Sequence, residues 1–365
     1  VTPQHTTRVA FMTDAPRVAG SEVWLLDVLP LLPAHGLNPT VFLPHGEALD
    51  ELARRFGEAG VPARRYDDLK AITADLNSFD LRVVQAWDPG TYRALDTLRA
   101  PRVAVVHDQL DYHYPAGLKG WYRQVYRATK LGGLRRADSV VTVSQWGQAF
   151  LQGTMGLPRV GGLTNGVNPD RYQPAPPAGR AALRARLGFS GFTVLVPGRF
   201  APEKNQLAAV LAARHAPDLN FVFAGDMDSS VGSAARTLTR ALRLRNVTFL
   251  GRRWDLPDLY RAADALLQPT LAENQSLVTL EAMASGLPVV TTPIPAQAEL
   301  IRDGVDGLLV PPVPHLLARA LRAMAAHPDR TAQFGVQARQ RVLERHTLTG
   351  TAAQVAALLR SCLPD

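Results

Sequence analysis

The sequence predicts an α/β protein built from two parallel-sheet domains. Three observations carry that prediction. Short apolar, β-rich runs alternate with helical patterns along the whole chain. One proline-rich stretch, Gln173-Pro-Ala-Pro-Pro-Ala-Gly179, divides the alternation into two series. The 365 residues are also enough for two cores of ordinary size. The expected layout is a first domain over 1–172, a linker over 173–180 and a second domain over 181–346. A tail over 347–365 is expected to return its helix to the first domain.

Composition narrows the class further. Hydrophobic content of 46% and charged content of 20% are those of a globular protein in water. No apolar run reaches the roughly 18–20 residues that span a bilayer. Val1-Thr-Pro-Gln-His-Thr-Thr7 lacks a basic segment followed by an apolar one, so no secretory leader is expected. Cys362 is the single cysteine, which excludes an intramolecular disulfide framework and makes the cytoplasm the simplest compartment. The net charge of +8 favours anionic partners. It is carried mostly by arginine, with lysine only at Lys70, Lys119, Lys130 and Lys204, a bias too general to signal nucleic acid. Nothing is spaced as a zinc-ligand set, and no metal site is expected.

In the first domain, residues 8–13 form a short strand, followed by a loop over 14–20 and a helix from Ser21 and Glu22. Val23, Leu25, Leu26, Val28, Leu29, Leu31 and Leu32 supply that helix's buried side. Strand, loop and helix with Gly20 at the entry open a βαβ unit. The three-glycine dinucleotide fingerprint is missing, so an NAD site is not expected. Gly20 is either a plain loop glycine or the point where backbone comes close to a ligand. Further β-rich runs occupy 40–43, 81–86, 103–107 and 139–144. His107 and Asp108 stand at the carboxyl end of their strand, where open α/β sheets place ligands; the histidine is open to a structural or a catalytic reading.

Residues 118–136 form the most unusual helix of this half. Lys119, Arg123 and Arg127 recur every four residues, with Trp121, Tyr122, Val125 and Tyr126 on the other faces. The helix either packs with a solvated arginine face, the simpler reading, or lies against anionic lipid or an acidic acceptor.

In the second domain a strand over 192–196 runs into a loop carrying Arg199 and Lys204, and a helix begins at Gln206. Guanidinium and ammonium on one loop at a strand's carboxyl end suit a diphosphate clamp; two solvated surface charges are the plain alternative. Strands follow at 219–225, 247–251 and 265–268, with helices at 233–244 and 255–263. A turn and short strand begin at Gly304, and helices close the chain at 315–326, 329–345 and 348–363.

The stretch from Gln268 to Val290 organises the rest. A strand, a loop, a short helix with Ser276 as N-cap and Gly286 at its close, and another strand follow one another. The helix N-terminus favours an anion. Glu273 and Glu281 flank it, and carboxylates beside an anion site are better used to accept hydrogen bonds from hydroxyls. An anion plus polyol hydroxyls describes a sugar nucleotide. The competing reading makes Glu273 a solvated loop charge and puts Glu281 on an exposed face.

These residues resemble a known group, the retaining GT-B glycosyltransferases of family 4 (GT4). The resemblance is carried by Gly198-Arg199 with Lys204, by Glu273 and Glu281 with seven residues between them, by Glu281-Ala-Met-Ala-Ser-Gly286-Leu-Pro288, and by Gly304-Val-Asp-Gly307-Leu-Leu-Val-Pro311. Asn165-Gly166-Val167-Asn168, Val143-Ser144 and Val105-Val106-His107-Asp108 fit it more weakly. It implies two Rossmann-like lobes facing across a cleft. The implied reaction is metal-independent transfer of a hexose-type sugar, with retention, from a UDP- or GDP-linked donor to a glycan, lipid-linked or small-molecule hydroxyl. No cofactor is implied beyond that co-substrate.

Site roles follow from the same resemblance. Arg199 and Lys204 would hold the diphosphate and stabilise the leaving charge. Glu281 would take the ribose, Glu273 the transferred sugar, and the amides of Asn274, Gln275, Ser276 and Leu277 the sugar and distal phosphate. The base would lie near Gly251 and Arg252. His107 and the Gly20 loop would close the site from the first lobe, and Arg199, Lys204, Glu273 and His107 form the catalytic set. Family members often carry a glycine-rich turn where this chain has Asn274-Gln275-Ser276, and paired glycines where it has Ala19-Gly20. The alternatives are a non-catalytic sugar-nucleotide-binding scaffold, or an epimerase or phosphorylase on the same architecture. Expected partners are the donor, the acceptor and a peripheral contact with the inner face of a membrane, without nucleic acid.

Overall fold

The structure, a computed structural model, describes residues 6–108 and 116–363. The first five residues, on which the expectation of no leader rests, lie outside them. Two units form: residues 1–165 with 348–365, and residues 166–347. Each is a parallel α/β sheet, as the alternation predicts.

In the first unit seven parallel strands, β1 (Thr7–Thr13), β2 (Leu37–Pro44), β3 (Ala63–Tyr66), β4 (Leu81–Gln85), β5 (Arg102–Val106), β6 (Ser139–Thr142) and β7 (Val160–Gly162), lie in the order β3-β2-β1-β4-β5-β6-β7. Alternating residues of β1 feed opposite faces: Val9 and Phe11 join one core cluster, Ala10 and Met12 the other. Strands β3 and β7 escape sequence detection because they are edges. Ala-Arg-Arg-Tyr and Val-Gly-Gly lack the apolar run that a strand covered on both faces needs.

The first helix, Gly20–Val28, is shorter than predicted. Pro30 and Pro33 tighten the chain into a 3-10 turn over Leu29–His35, which Gly36 ends at φ 71°. Its faces also differ from expectation: Val23 is exposed and Glu22 is fully buried. The final helix, Leu348–Ser361, returns to this unit and sets Val355, Ala356 and Leu359 into the core that holds Val9 and Phe11. Thr351 donates to the Thr164 carbonyl at 2.8 Å and fixes its start.

The second unit carries β8 (Thr193–Pro197), β9 (Asn220–Ala224), β10 (Val247–Phe249), β11 (Ala265–Gln268), β12 (Val289–Thr291) and β13 (Leu308–Leu309), all parallel, in the order β10-β9-β8-β11-β12-β13. The division between units falls at Asn165 and Gly166, not within 173–180. Tyr172 and Val167 already belong to this unit's core, and a helix, Pro177–Leu187, starts inside the proline-rich stretch. Proline at a first helical turn costs no hydrogen bond, so prolines that suggest a linker here mark a helix entry. Arg180 and Arg184 of that helix both bind Asp264, at 2.6 and 2.8 Å. Val167 pairs with Thr347, so the segments that enter and leave the unit lie side by side.

In each sheet strand order reverses once, between β1 and β4 and between β8 and β11. Loops leave the carboxyl ends there in opposite directions, which opens the crevice where such folds bind ligands.

Candidate active site

At the β8/β11 reversal the loops are stitched together by the chain itself. The Asn205 amide donates to the Pro269 carbonyl at 3.1 Å, and Glu203's carbonyl accepts from the Leu271 N–H at 2.7 Å and the Thr270 hydroxyl at 3.0 Å. Asn205 adopts a left-handed φ of 55°, the bend that starts the helix Gln206–His215 beyond Lys204. On the other side the Phe200 N–H bonds the Asp226 carbonyl at 2.8 Å. Gly225 must be glycine, since a Cβ there would meet the Gly198 carbonyl at 2.0 Å.

This framework brings two predicted residues, Lys204 and Glu273, together. Lys204 donates its ammonium to Glu273, whose Oε1 also accepts from the Gln268 amide at 3.2 Å. Arg199, on the same loop as Lys204, is half exposed and bound to Glu203 at 2.7 Å. Each cation keeps spare donors: lysine has three N–H groups and arginine five. Glu273, Asn274, Gln275 and Ser276 are all buried, at 8%, 7%, 9% and 3% exposure, which removes the solvated-loop reading of Glu273. Ser276 caps the helix Leu277–Ala284, accepting from the Thr279 N–H at 3.3 Å, and Gly286 beyond its end has φ 69°. Both features match the sequence reading. The other amides of that first turn carry the positive end of the helix dipole.

Glu281 is placed differently from the exposed-face reading. It takes the Tyr172 hydroxyl at 2.9 Å and the Tyr260 hydroxyl at 2.7 Å, one on each carboxylate oxygen. Burial first, and the neighbouring carboxylate second, hold the Tyr260 phenol well above its usual pKa, so it stays a donor. Arg252 is largely exposed and bound to Asp226 at 2.9 Å. The Asp228 N–H, then Arg252, lower the Asp226 pKa.

At the β1/β4 reversal of the first unit the structure assembles groups of another kind. Asp14 accepts from the Trp87 N–H at 2.6 Å, the Asp88 N–H at 3.1 Å and the Thr91 hydroxyl at 2.6 Å, tying the two loops together. Behind them the buried Glu22 carboxylate receives five donors: Thr13 Oγ1, Gln85 Nε2 and Trp87 Nε1 on one oxygen, and the Ala19 N–H and Ser21 Oγ on the other. Burial pushes its pKa up and those hydrogen bonds oppose the shift. Gln85 reaches onward to His107, Oε1 to Nε2 at 2.8 Å. Burial lowers the His107 pKa to about 4; Lys130 adds to that and Asp108 opposes it.

Sequence reasoning selected His107 and missed Glu22 and Gln85. The available signal was an acid at the third position of a helix, which reads as ordinary capping. It also missed Lys130, counted with a basic helix: Lys130 is buried and grips Asp108 at 2.6 and 2.8 Å. Gly20 is exposed, and a Cβ added there would meet no heavy atom within 4 Å, so nothing in its own unit demands glycine. The helix Ala116–Tyr126 exposes Leu118 (50%), Trp121 (63%) and Val125 (38%), contrary to a fully packed apolar side. Among the described residues no His, Cys, Asp or Glu cluster suits a metal ion, and no helix is long and apolar enough to cross a membrane.

Comparison with known proteins finds glycosyltransferase similarity along the chain. The profile described as "Glycosyl transferases group 1" matches residues 191–327, and that described as "Glycosyltransferase Family 4" matches residues 18–171. The chain is 28% identical over 270 residues to alpha-maltose-1-phosphate synthase of Mycolicibacterium smegmatis, covering 64% of this chain and 69% of that protein. It is 34% identical over 203 residues to D-inositol 3-phosphate glycosyltransferase of Streptomyces griseus, covering 47% of this chain and 43% of that protein, less than half the relative's length. Among solved structures, Anabaena Alr3699/HepE in complex with UDP and glucose superposes with a TM-score of 0.84 at 22% identity, over 97% of this chain and 100% of that one. A glycosyltransferase profile thus matches on each of the two parallel-sheet units.

Proposed function

We propose that the protein transfers a hexose-type sugar, with retention and without a metal, from a UDP- or GDP-linked donor to a hydroxyl acceptor. The carrying observation is the arrangement at the β8/β11 reversal: Lys204 bound to a buried Glu273 just ahead of the helix Leu277–Ala284, with Arg199 on the same loop as Lys204. Similar solved structures hold UDP, UDP-glucose, or UDP and glucose, which supports a nucleotide-sugar donor.

In this reading the diphosphate recruits the spare donors of Arg199 and Lys204. Negative charge grows on the diphosphate as the anomeric C–O bond breaks, so both cations bind the transition state more strongly than the ground state. Glu273 accepts hydrogen bonds from the transferred sugar, and the amides of Asn274, Gln275, Ser276 and Leu277 meet the sugar and distal phosphate. Glu281, held by two tyrosines, accepts from the ribose hydroxyls. Arg252 lies by the base, and His107 and the Gly20 loop contribute from the first unit. The acceptor attacks the face the diphosphate leaves, and a donor phosphate oxygen takes its proton. A Glu273 already engaged by Lys204 and Gln268 is better suited to this role than to covalent attack.

The acceptor is a glycan, a lipid-linked molecule or a small molecule. Leu118, Trp121 and Val125, alongside Lys119, Arg123 and Arg127, favour a peripheral contact with anionic lipid. The test of the reading is turnover of a UDP- or GDP-sugar by the wild type, Arg199→Ala and Glu273→Ala. Both variants are expected to fold and lose turnover; full turnover in both would overturn the site assignment.

A further inference from the structure

Glu22, Gln85 and His107 form a linear hydrogen-bonded chain at the β1/β4 reversal. Gln85 is its middle member, with Nε2 3.2 Å from Glu22 Oε1 and Oε1 2.8 Å from His107 Nε2. The direction of the chain follows from hydrogen-bond chemistry. Glu22 already receives two obligate donors, the Ala19 backbone N–H and the Trp87 indole N–H, one on each oxygen. A carboxylate with that environment accepts, so the Gln85 group facing it is the NH2. The reversed amide would set oxygen against oxygen. With its NH2 committed, Gln85 presents its carbonyl to His107, and a carbonyl only accepts. His107 Nε2 therefore carries the proton.

We propose that Glu22 and Gln85 are positioning residues that hold His107 as the neutral Nε2–H tautomer, leaving Nδ1 as the acceptor for a hydroxyl of a bound sugar. The Trp24 ring meets the imidazole edge-on at 5.5 Å and restrains its plane. No hydrogen bond to Nδ1 comes from the described residues, so this lone pair is the part of the relay left for a ligand. Asp108, the charge closest in sequence, is itself clamped by Lys130 and receives the Tyr126 hydroxyl at 3.0 Å. A tautomer set by the partner of the other ring nitrogen is general histidine behaviour. Here the setting comes from a carboxylate one residue further away.

The sugar-hydroxyl part rests on the proposed transferase function; the tautomer part does not. The experiment is nitrogen-15 NMR of the full chain labelled at histidine, without ligand, at neutral pH. The expected spectrum for His107 has a protonated Nε2 and a bare Nδ1. In Glu22→Gln the amide of Gln85 is free to reverse, and Gln85→Met removes it. Both are expected to shift His107 toward the other tautomer or a mixture, with circular dichroism unchanged, and to lower kcat at least tenfold with little change in KM. A wild-type imidazole protonated at Nδ1, or on both nitrogens, overturns the proposal even if neither variant folds. So does a variant whose tautomer changes while kcat does not. A wild type with the expected spectrum and no sugar transfer sinks the transferase reading and leaves the tautomer assignment standing.

Discussion

The two strand-order reversals occupy equivalent places in two similar sheets, yet they are furnished in opposite ways. In the second unit the loops carry ion pairs, Arg199–Glu203, Lys204–Glu273 and Arg252–Asp226. In the first unit the crevice is backed by one buried carboxylate with five donors and a neutral relay to His107. Ion pairs at a crevice can exchange a carboxylate for a phosphate oxygen, since the cations hold donors in reserve. A saturated relay cannot exchange partners cheaply, because any group it releases is left buried and unpaired. One reversal is built to take up charge and the other to hold a geometry.

The comparison breaks most readily at Lys204. Lys204→Ala removes a cation aimed at the leaving diphosphate and is expected to lower kcat by about 10²–10³, or roughly 2.7–4 kcal/mol. Stopped assays with a UDP- or GDP-sugar read this, and a kcat within twofold of wild type would deny the second unit its catalytic role.

The next effect belongs to the first unit and appears in the pH dependence of stability. His107 binds its proton near pH 6.5 when unfolded and near 4 when folded. Between those values the unfolded chain holds more protons, so stability falls as the pH is lowered from 6.5 to 4, by up to about 3 kcal/mol at roughly 1.4 kcal/mol per unit. Glu22 acts in the other direction. Its folded pKa is raised, so its contribution is present at low pH and fades as the pH rises through the raised value. Urea unfolding across this window should show a shallower fall in His107→Asn than in wild type, and equal slopes would remove the histidine from the account.

Tyr260→Phe tests how far Glu281 depends on its tyrosines. It takes one donor from a charged acceptor and is expected to cost about 1.5–3 kcal/mol of stability, read by chemical denaturation. Arg252→Ala should do least to the fold. Its pair with Asp226 is 65% and 36% exposed, and the expected stability change is within about 0.5 kcal/mol by thermal melt. Its effect is expected in a weaker affinity for the nucleotide instead.

The second unit was far more legible in the sequence than the first, for reasons that reside in particular residues. Ser276, Gly286, Glu273 and Lys204 announce themselves through local rules: a cap, a positive φ and a charge in an apolar stretch. Strands buried on both faces are visible as apolar runs, whereas the edges β3 and β7 are not. Glu22 is hidden because its partners Thr13, Gln85 and Trp87 come from β1, β4 and the loop after β4, and no local pattern reports a pairing across a sheet. Lys130 is hidden for the same reason: only the fold shows that its side chain leads to Asp108 and not to solvent. The Pro174–Pro177 stretch misled because proline marks linkers and helix entries alike, and only the packing of Tyr172 tells them apart.

The central claim is that the second unit's cations hold a nucleoside diphosphate, and titration calorimetry measures it without needing the acceptor. UDP, GDP and ADP would each be titrated into the wild type and into Lys204→Ala. The account predicts that UDP or GDP binds the wild type more tightly than ADP does, and that the substitution weakens that binding at least tenfold. Equal affinity in the two proteins, or no heat from any of the three nucleotides, would contradict it.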